Sequence, residues 1–138
     1  RSSQGKKLGV LISARPDQPG FRHAVRLAAA ALEAGVRVYL YCIDEAVRGV
    51  ADTELQALRA RGLSLYACAY GAQRRNLPLD ELATYAGLTV VSDLVAGTDR
   101  FISFNDGIMI PSLLFLVTSD PRSSARPGRE VRERRINL

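Results

Sequence analysis

The chain has 138 residues, of which 47% are hydrophobic and 24% are charged, which is ordinary for a globular domain with one hydrophobic core. It contains no run of about 18 apolar residues, so we expect no membrane-spanning helix. Residues 1–7 lack the apolar stretch of a signal peptide, and we interpret them as a flexible N-terminal lead-in.

The net charge of +5 is concentrated at the two ends of the chain. Residues 1–7 and residues 118–138 each contribute +3, which leaves about −1 for the residues between them. Basic tails attract acidic partners only weakly. We therefore expect no direct nucleic-acid binding, and we interpret residues 118–138 as a basic, flexible tail.

The first elements follow an alternation of strand and helix signals. Residues 8–13 are a short apolar run typical of a buried strand, and a loop with two prolines and a glycine follows over 14–20. Residues 21–34 have apolar side chains at helical spacing, and Gly35 suits the end of that helix. Residues 36–43 are rich in β-branched and aromatic side chains, which predicts a second strand.

The alternation continues through the next sixty residues. A helix over 53–61 is predicted to begin at Asp52 or Thr53 as its N-cap and to end before Gly62. The remaining predicted elements are, in order, a strand over 63–68, a helix over 79–86, a strand over 88–91, a short helix over 92–96 and a strand over 100–104.

Strands that alternate with helices indicate βαβ units and a parallel sheet. We expect an α/β domain over residues 8–104, with three layers, a five-stranded mostly parallel sheet and the flavodoxin-like strand order 2-1-3-4-5. In that order the site favoured for ligands lies at the carboxyl ends of the first and third strands. Cys68 would then face the loop over 14–20.

The pattern changes after residue 104. A turn signal at 105–107 is followed by the apolar run 108–117, in which Pro111 argues against a central strand. We interpret residues 105–117 as an apolar C-terminal extension that covers the sheet or a subunit contact.

Cys68 ends a predicted strand and is followed by backbone donors, including the amide of Gly71, and by Arg74 and Arg75. Cations and backbone amides stabilise a thiolate, which is the reactive form of cysteine. The alternative is an inert core cysteine. Cys42 lies within a predicted strand, and we interpret it as a core residue that the first strand separates from Cys68.

Two cysteines without a disulfide framework favour a reducing, cytosolic setting. His23 lies on the first turn of a helix beside the first loop, where it is either a proton shuttle for the thiol or an exposed surface residue. With one histidine and no paired cysteines, we expect no metal site and no cofactor.

The stretch from Cys68 to Arg75 also resembles a known family. A cysteine, Ala72 four residues later and the pair Arg74-Arg75 resemble the pattern of the DsrE/TusD-like sulfur-relay family, and residues 97–104 resemble its closing strand. The resemblance covers about residues 7–104. The chain departs from it at Asn76, where the family often has glycine, but asparagine tolerates the left-handed conformation that glycine would adopt.

The resemblance implies a cytoplasmic sulfurtransferase or sulfur carrier of the DsrE-like fold that forms homo- or hetero-oligomers. Cys68 would accept sulfane sulfur from a donor protein as a persulfide and pass it to an acceptor protein, with Tyr66 and Tyr70 lining the site. Some relatives lack the cysteine and act only as partners. The alternatives are therefore a non-catalytic subunit or a small-molecule-binding module with an unreactive Cys68.

Overall fold

A computed structural model describes residues 5–105 of the chain. In this range the strands and helices alternate, and one short 3-10 helix follows the second strand. The elements are β1 (Lys7–Ile12), α1 (Pro19–Glu33), β2 (Arg37–Cys42), the 3-10 helix (Asp44–Gly49), α2 (Thr53–Ala60), β3 (Ser64–Cys68), α3 (Ala69–Arg74), β4 (Thr84–Ala86), α4 (Thr89–Gly97) and β5 (Arg100–Phe104).

The five strands form one parallel sheet in the order β4-β3-β2-β1-β5. The α/β fold class and the five-stranded parallel sheet are therefore confirmed. The strand order differs from the expected 2-1-3-4-5, because β3 pairs with β2 and β5 takes the place beside β1. Three successive crossovers step in one direction from β1 to β4, and the last one returns across the sheet to β5.

Right-handed crossovers place α1, α2 and α3 on one face of this sheet and α4 on the other. Side chains alternate between the two faces along a strand, and partners in parallel register share a face. Val10, Leu40 and Leu65 are such partners, and all three are buried. On the opposite face Gly9 lies against Phe101, and α4 contacts β1 and β5.

The predicted helix ends are confirmed at three positions. Asp52 is the N-cap of α2, and its carboxylate accepts the Leu55 N–H at 3.1 Å and binds Arg22 of α1 at 2.7 Å. Gly35 and Gly62, which follow α1 and α2, have φ angles of +87° and +118°, where glycine is favoured over other residues.

The predicted helix over 79–86 is wrong. The carboxylate of Asp80 accepts the N–H of Leu82 at 3.0 Å, a local bond that competes with helix formation. The following residues, Thr84–Ala86, pair with the end of β3 instead. A strand of three residues is too short to show the alternation of apolar and polar side chains from which strands are predicted.

The predicted strand over 88–91 is also wrong, because α4 begins at Thr89 and continues to Gly97. The β-branched residues of this segment favour a strand locally. The helix forms nevertheless, and it buries Leu94 against the sheet. The predicted short helix over 92–96 is thus the second half of α4. The other predicted strands and helices agree with the structure within one or two residues at most ends.

The expectations for residues 106–138, including the apolar run 108–117 and the basic tail, lie outside the described residues. Among residues 5–105, no helix has the length and apolar character needed to cross a membrane.

Candidate thiol site

Cys68 occupies two structural positions at once, since it ends β3 and is the N-cap residue of α3. An N-cap side chain accepts a hydrogen bond from the backbone two or three residues later. Here the Cys68 sulfur accepts the Gly71 N–H at 3.3 Å. A backbone donor aimed at sulfur stabilises negative charge there. The side chain is nevertheless buried, with only 4% of the residue exposed.

Tyr41 of β2 is paired with Tyr66 and lies on the same face of the sheet as Cys68, a placement that its own sequence neighbours do not indicate. Its hydroxyl lies 2.9 Å from each of the Ala86 and Gly87 carbonyl oxygens. Burial raises the pKa of Tyr41, and the charge and hydrogen bond of Cys68 raise it further. The expected strand order had placed β1 between β2 and β3, which kept Tyr41 away from Cys68. The observed pairing of β2 with β3 brings them together.

Tyr66 lies on the same face of β3 as Cys68, two residues earlier. Its ring stacks on Tyr41 with centroids 6.3 Å apart and an interplanar angle of 17°. Tyr66 therefore supports the ring of Tyr41, and its contact with the site is through that ring.

Arg75 holds α3 against the 3-10 helix. Its Nε binds the Glu45 carboxylate at 2.9 Å, and its Nη1 donates to the Gly71 carbonyl at 3.1 Å. Hydrogen bonds from Arg48 and Arg75 lower the pKa of Glu45. The positive charge of Arg75 is thus balanced by Glu45, and its second bond fixes the residue whose N–H points at Cys68.

Arg74 and Tyr70 form a separate pair on the outer surface of α3. Tyr70 is 66% exposed, and the Arg74 guanidinium lies 5.7 Å from the centre of its ring. This distance is within the range of a cation–π contact. Both side chains are accessible to a partner molecule and do not surround the sulfur.

Asn76 closes α3 in the left-handed conformation, with a φ angle of +58°, so the expectation for this residue is confirmed. The N–H of Leu77 donates to the Ala72 carbonyl at 2.9 Å, and the N–H of Asn76 donates to the Gln73 carbonyl at 3.0 Å. These two bonds form the Schellman arrangement that usually ends in glycine.

The structure does not bring His23 to the thiol. It is exposed on α1, which packs on β1, β2, α2 and β5, whereas α3 packs on β3 and the 3-10 helix. The observed strand order explains the difference, because β2 stands between the first strand and Cys68.

Cys42 is fully buried in β2, and burial raises the pKa of its thiol to about 12. Both cysteines are free. The predicted reason for the missing disulfide is wrong, since their strands are neighbours. Cys42 is aligned with Ala67, which precedes Cys68, so the two thiols lie on opposite faces of the sheet.

Two further features of the described residues bear on ligands. No group of three or more His, Cys, Asp or Glu side chains within 5–105 is arranged to hold a metal ion. A cleft of about 290 Å³ lies at the amino ends of β2 and β3, where it is lined by Arg37, Tyr39 and Ser64 among others. This cleft is at the opposite edge of the sheet from Cys68.

The fold and the site together define an α/β protein with a hydrogen-bonded thiol at the carboxyl edge of a parallel sheet. The family model described as the DsrE/DsrF-like family matches residues 6–104, and the chain belongs to that family. The resemblance seen in the sequence is thereby confirmed.

The crystal structure of the YchN protein from E. coli is similar to this chain, with a TM-score of 0.61 and 19% sequence identity. The similarity covers 72% of this chain and 98% of that chain. At this level of identity the likeness establishes the fold. A search of curated proteins found no significant sequence match.

Proposed function

We propose that this protein is a cytosolic sulfur-relay protein that carries sulfane sulfur on Cys68 as a persulfide and passes it to a partner protein. The observation that supports this most strongly is the N-cap position of Cys68, where the Gly71 N–H donates to the sulfur. Membership of the DsrE/DsrF-like family supports the same function.

The chemistry consists of two exchanges at sulfur. The Cys68 thiolate attacks the outer sulfur of a donor persulfide, so that a new S–S bond forms, the donor S–S bond breaks and the donor leaves as a thiolate. An acceptor thiolate then attacks the outer sulfur on Cys68, and the Cys68 thiolate leaves. Each exchange transfers a neutral sulfur atom, and no external oxidant or reductant is needed.

The surrounding residues have separate roles in this proposal. The amide of Gly71 stabilises the anion on sulfur, and Arg75 keeps that amide in place through the Gly71 carbonyl. Tyr66 stacks on Tyr41, which lies on the same face of the sheet as Cys68. Arg74 and Tyr70 are exposed beside the site and suit contact with the donor or acceptor protein, or with another subunit of a homo- or hetero-oligomer.

The burial of Cys68 favours a second candidate, a non-catalytic subunit of the same fold. A thiol that is 4% exposed reacts slowly with a macromolecular donor unless the site opens.

The test is the intact mass of the protein after incubation with a sulfane-sulfur donor. Wild type is compared with Cys68→Ser and, as a matched control, Cys42→Ser. Gain of one sulfur atom in wild type and Cys42→Ser, with none in Cys68→Ser, is the expected result. Absence of the adduct from wild type, with a Cys68 that also resists small thiol reagents, would favour the non-catalytic subunit.

A further inference from the structure

The cleft at the amino ends of β2 and β3 is lined by side chains that donate hydrogen bonds. It has a volume of about 290 Å³, and the ends of α1 and α2 lie beside it. Arg37, Tyr39 and Ser64 project on one face of the sheet, because Tyr39 is aligned with Ser64 and follows Arg37 by two residues. No aspartate or glutamate is among the described residues that line the cleft.

Three of the lining side chains are not used by the fold. Within residues 5–105, no hydrogen bond or ion pair engages the Arg37 guanidinium, the Tyr39 hydroxyl or the Ser64 hydroxyl. Tyr39 and Ser64 are also partly buried. A guanidinium has five N–H donors and no acceptor, and each hydroxyl has one O–H to donate. The cleft therefore presents donors that are available to a ligand.

Arg61 adds a second guanidinium to the lining of the cleft. Its Nη2 lies 3.2 Å from the Glu33 carboxylate, and the two side chains are 53% and 78% exposed. An ion pair this exposed to water contributes little to stability. Arg61 can therefore exchange Glu33 for a ligand anion at little cost to the fold.

The ends of the two helices do not cancel this positive charge. Unpaired carbonyls give the C-terminus of a helix a partial negative charge. Here the Val36 N–H donates to the Ala31 carbonyl at 3.0 Å, and the Leu63 N–H donates to the Leu58 carbonyl at 3.1 Å. These bonds cap the last turns of α1 and α2, so carbonyls that would repel an anion are already paired.

A third positive charge lies next to the cleft. The carbonyl of Lys6 accepts the Arg37 N–H at 2.9 Å, which places Lys6 beside the start of β2. Lys6, Arg37 and Arg61 thus place three positive charges at this end of the sheet, against the carboxylate of Glu33. Charges within about 8–10 Å of one another act together at physiological salt.

We propose that this cleft binds a small oxyanion of the phosphate or sulfate type, either free or as the charged group of a small metabolite. The guanidinium groups of Arg37 and Arg61 match the paired oxygen atoms of such an anion. The hydroxyls of Tyr39 and Ser64 donate to the oxygen atoms that remain. The volume of the cleft is near the lower end for small-molecule sites, so it suits the anion with at most a small organic part.

This site is separate from the thiol and does not depend on sulfur transfer. Ser64 begins β3 and Cys68 ends it, a separation of about 13 Å along the strand. The ligand in the cleft therefore does not touch the Cys68 sulfur.

The experiment is a titration of the full chain with inorganic phosphate at neutral pH, followed by the backbone amide signals in NMR spectra. Sodium chloride keeps the ionic strength constant. Saturable shifts are expected for the amides of residues 35–39 and 61–64, with no comparable change at Cys68 and Gly71.

Arg37→Gln is expected to weaken phosphate binding roughly 10-fold, as for loss of a hydrogen bond from a charged group. Arg37 is exposed and unpaired within residues 5–105, so this variant is expected to fold normally. Arg26→Gln is the matched control, since it removes the same charge from an exposed position on α1 that does not line the cleft. Shifts that do not saturate, or equal weakening in Arg26→Gln and Arg37→Gln, would overturn the proposal.

The same titration with adenosine 5′-monophosphate distinguishes the two sources of the anion. Tighter binding than inorganic phosphate, with an added shift at Tyr39, would assign the site to a phosphate ester. Equal or weaker binding would assign it to the free oxyanion. Either result supports an oxyanion site only if Arg37→Gln weakens it, and binding of both compounds that is unchanged in Arg37→Gln would contradict the assignment to this cleft.

Discussion

Replacing Gly9 by alanine is expected to destabilise the domain through a direct clash inside the sheet. Gly9 lies in β1 with its α-carbon hydrogens facing the ring of Phe101 in β5. A Cβ at this position would lie 2.6 Å from Phe101 Cδ1 and 3.2 Å from Thr98 Oγ1. The ring cannot move away freely, because Phe101 is 5% exposed and its backbone is paired with Gly9.

The size of the effect follows from this geometry. A contact of 2.6 Å requires a shift of β5 or of the Phe101 ring. Forcing one extra methyl group into a well-packed core costs about 1–3 kcal/mol. For a domain of about 100 residues, each kcal/mol lowers Tm by roughly 4–8 °C.

Thermal and urea unfolding of Gly9→Ala and Gly97→Ala form a matched comparison. Gly97 ends α4, and a Cβ built there meets no described atom within 4 Å apart from its chain neighbours and the backbone of its own helix. Gly97→Ala is therefore expected to leave stability unchanged or slightly higher, since alanine favours a helix over glycine. Equal stability of Gly9→Ala and Gly97→Ala would refute the packing of Phe101 on Gly9.

Three further predictions concern single side chains. Asp52→Asn keeps a cap acceptor but loses the ion pair with Arg22, so it is expected to cost about 0.5–1 kcal/mol at pH 7 by urea unfolding. Because Arg22 lowers the pKa of Asp52, the difference in stability between wild type and Asp52→Asn is present above the usual aspartate pKa and disappears as the pH falls. A difference in stability that stays constant down to pH 3 would contradict this prediction. Asn76 has a φ of +58°, so Asn76→Ala is expected to lower the free energy of unfolding by about 1 kcal/mol, whereas Asn76→Gly is expected to leave it unchanged. If urea unfolding showed Asn76→Gly to be the less stable of the two variants, the left-handed turn would be wrong. Peptide mapping after brief treatment of the native protein with a small thiol reagent at pH 8 is expected to find label on Cys68 and none on Cys42, because burial raises the pKa of Cys42 to about 12. Label on Cys42 to the same extent as on Cys68 would show that the burial of Cys42 is wrong.

Most secondary structure was predictable because the first half of the chain has local signals that agree with its packing. The apolar strands and the capped helices through β3 needed no long-range information, and β5 was predicted with the bounds that it has, Arg100–Phe104. Residues 79–97 were not predictable in this way. There a short edge strand follows an aspartate turn, and β-branched residues lie in a helix.

Strand order was the element that sequence could not determine. Either order buries the apolar strands and uses right-handed crossovers, so the choice depends on contacts between distant residues. The residues expected around Cys68 depend on the strand order. Cys68 was found from its own neighbours in sequence, whereas Tyr41 is 27 positions away and was missed because β2 and β3 were not expected to be adjacent.

The two arginines after Cys68 show a second limit of the sequence pattern. Their positive charges favour a thiolate if they face it, but the sequence does not show what else they bind. Arg75 is paired with Glu45 from the 3-10 helix, and Arg74 lies on the exposed ring of Tyr70. The backbone N–H of Gly71, rather than a guanidinium group, donates to the sulfur.

The most direct test of sulfur transfer by Cys68 follows one labelled sulfur atom through both exchanges. The protein is loaded from a donor that contains heavy sulfane sulfur, separated from the donor and mixed with a thiol acceptor, and the peptides are analysed by mass spectrometry before and after. The account predicts labelled sulfur on the Cys68 peptide, none on the Cys42 peptide, and its movement to the acceptor. Label that never reaches Cys68, or that stays there in the presence of the acceptor, would contradict it.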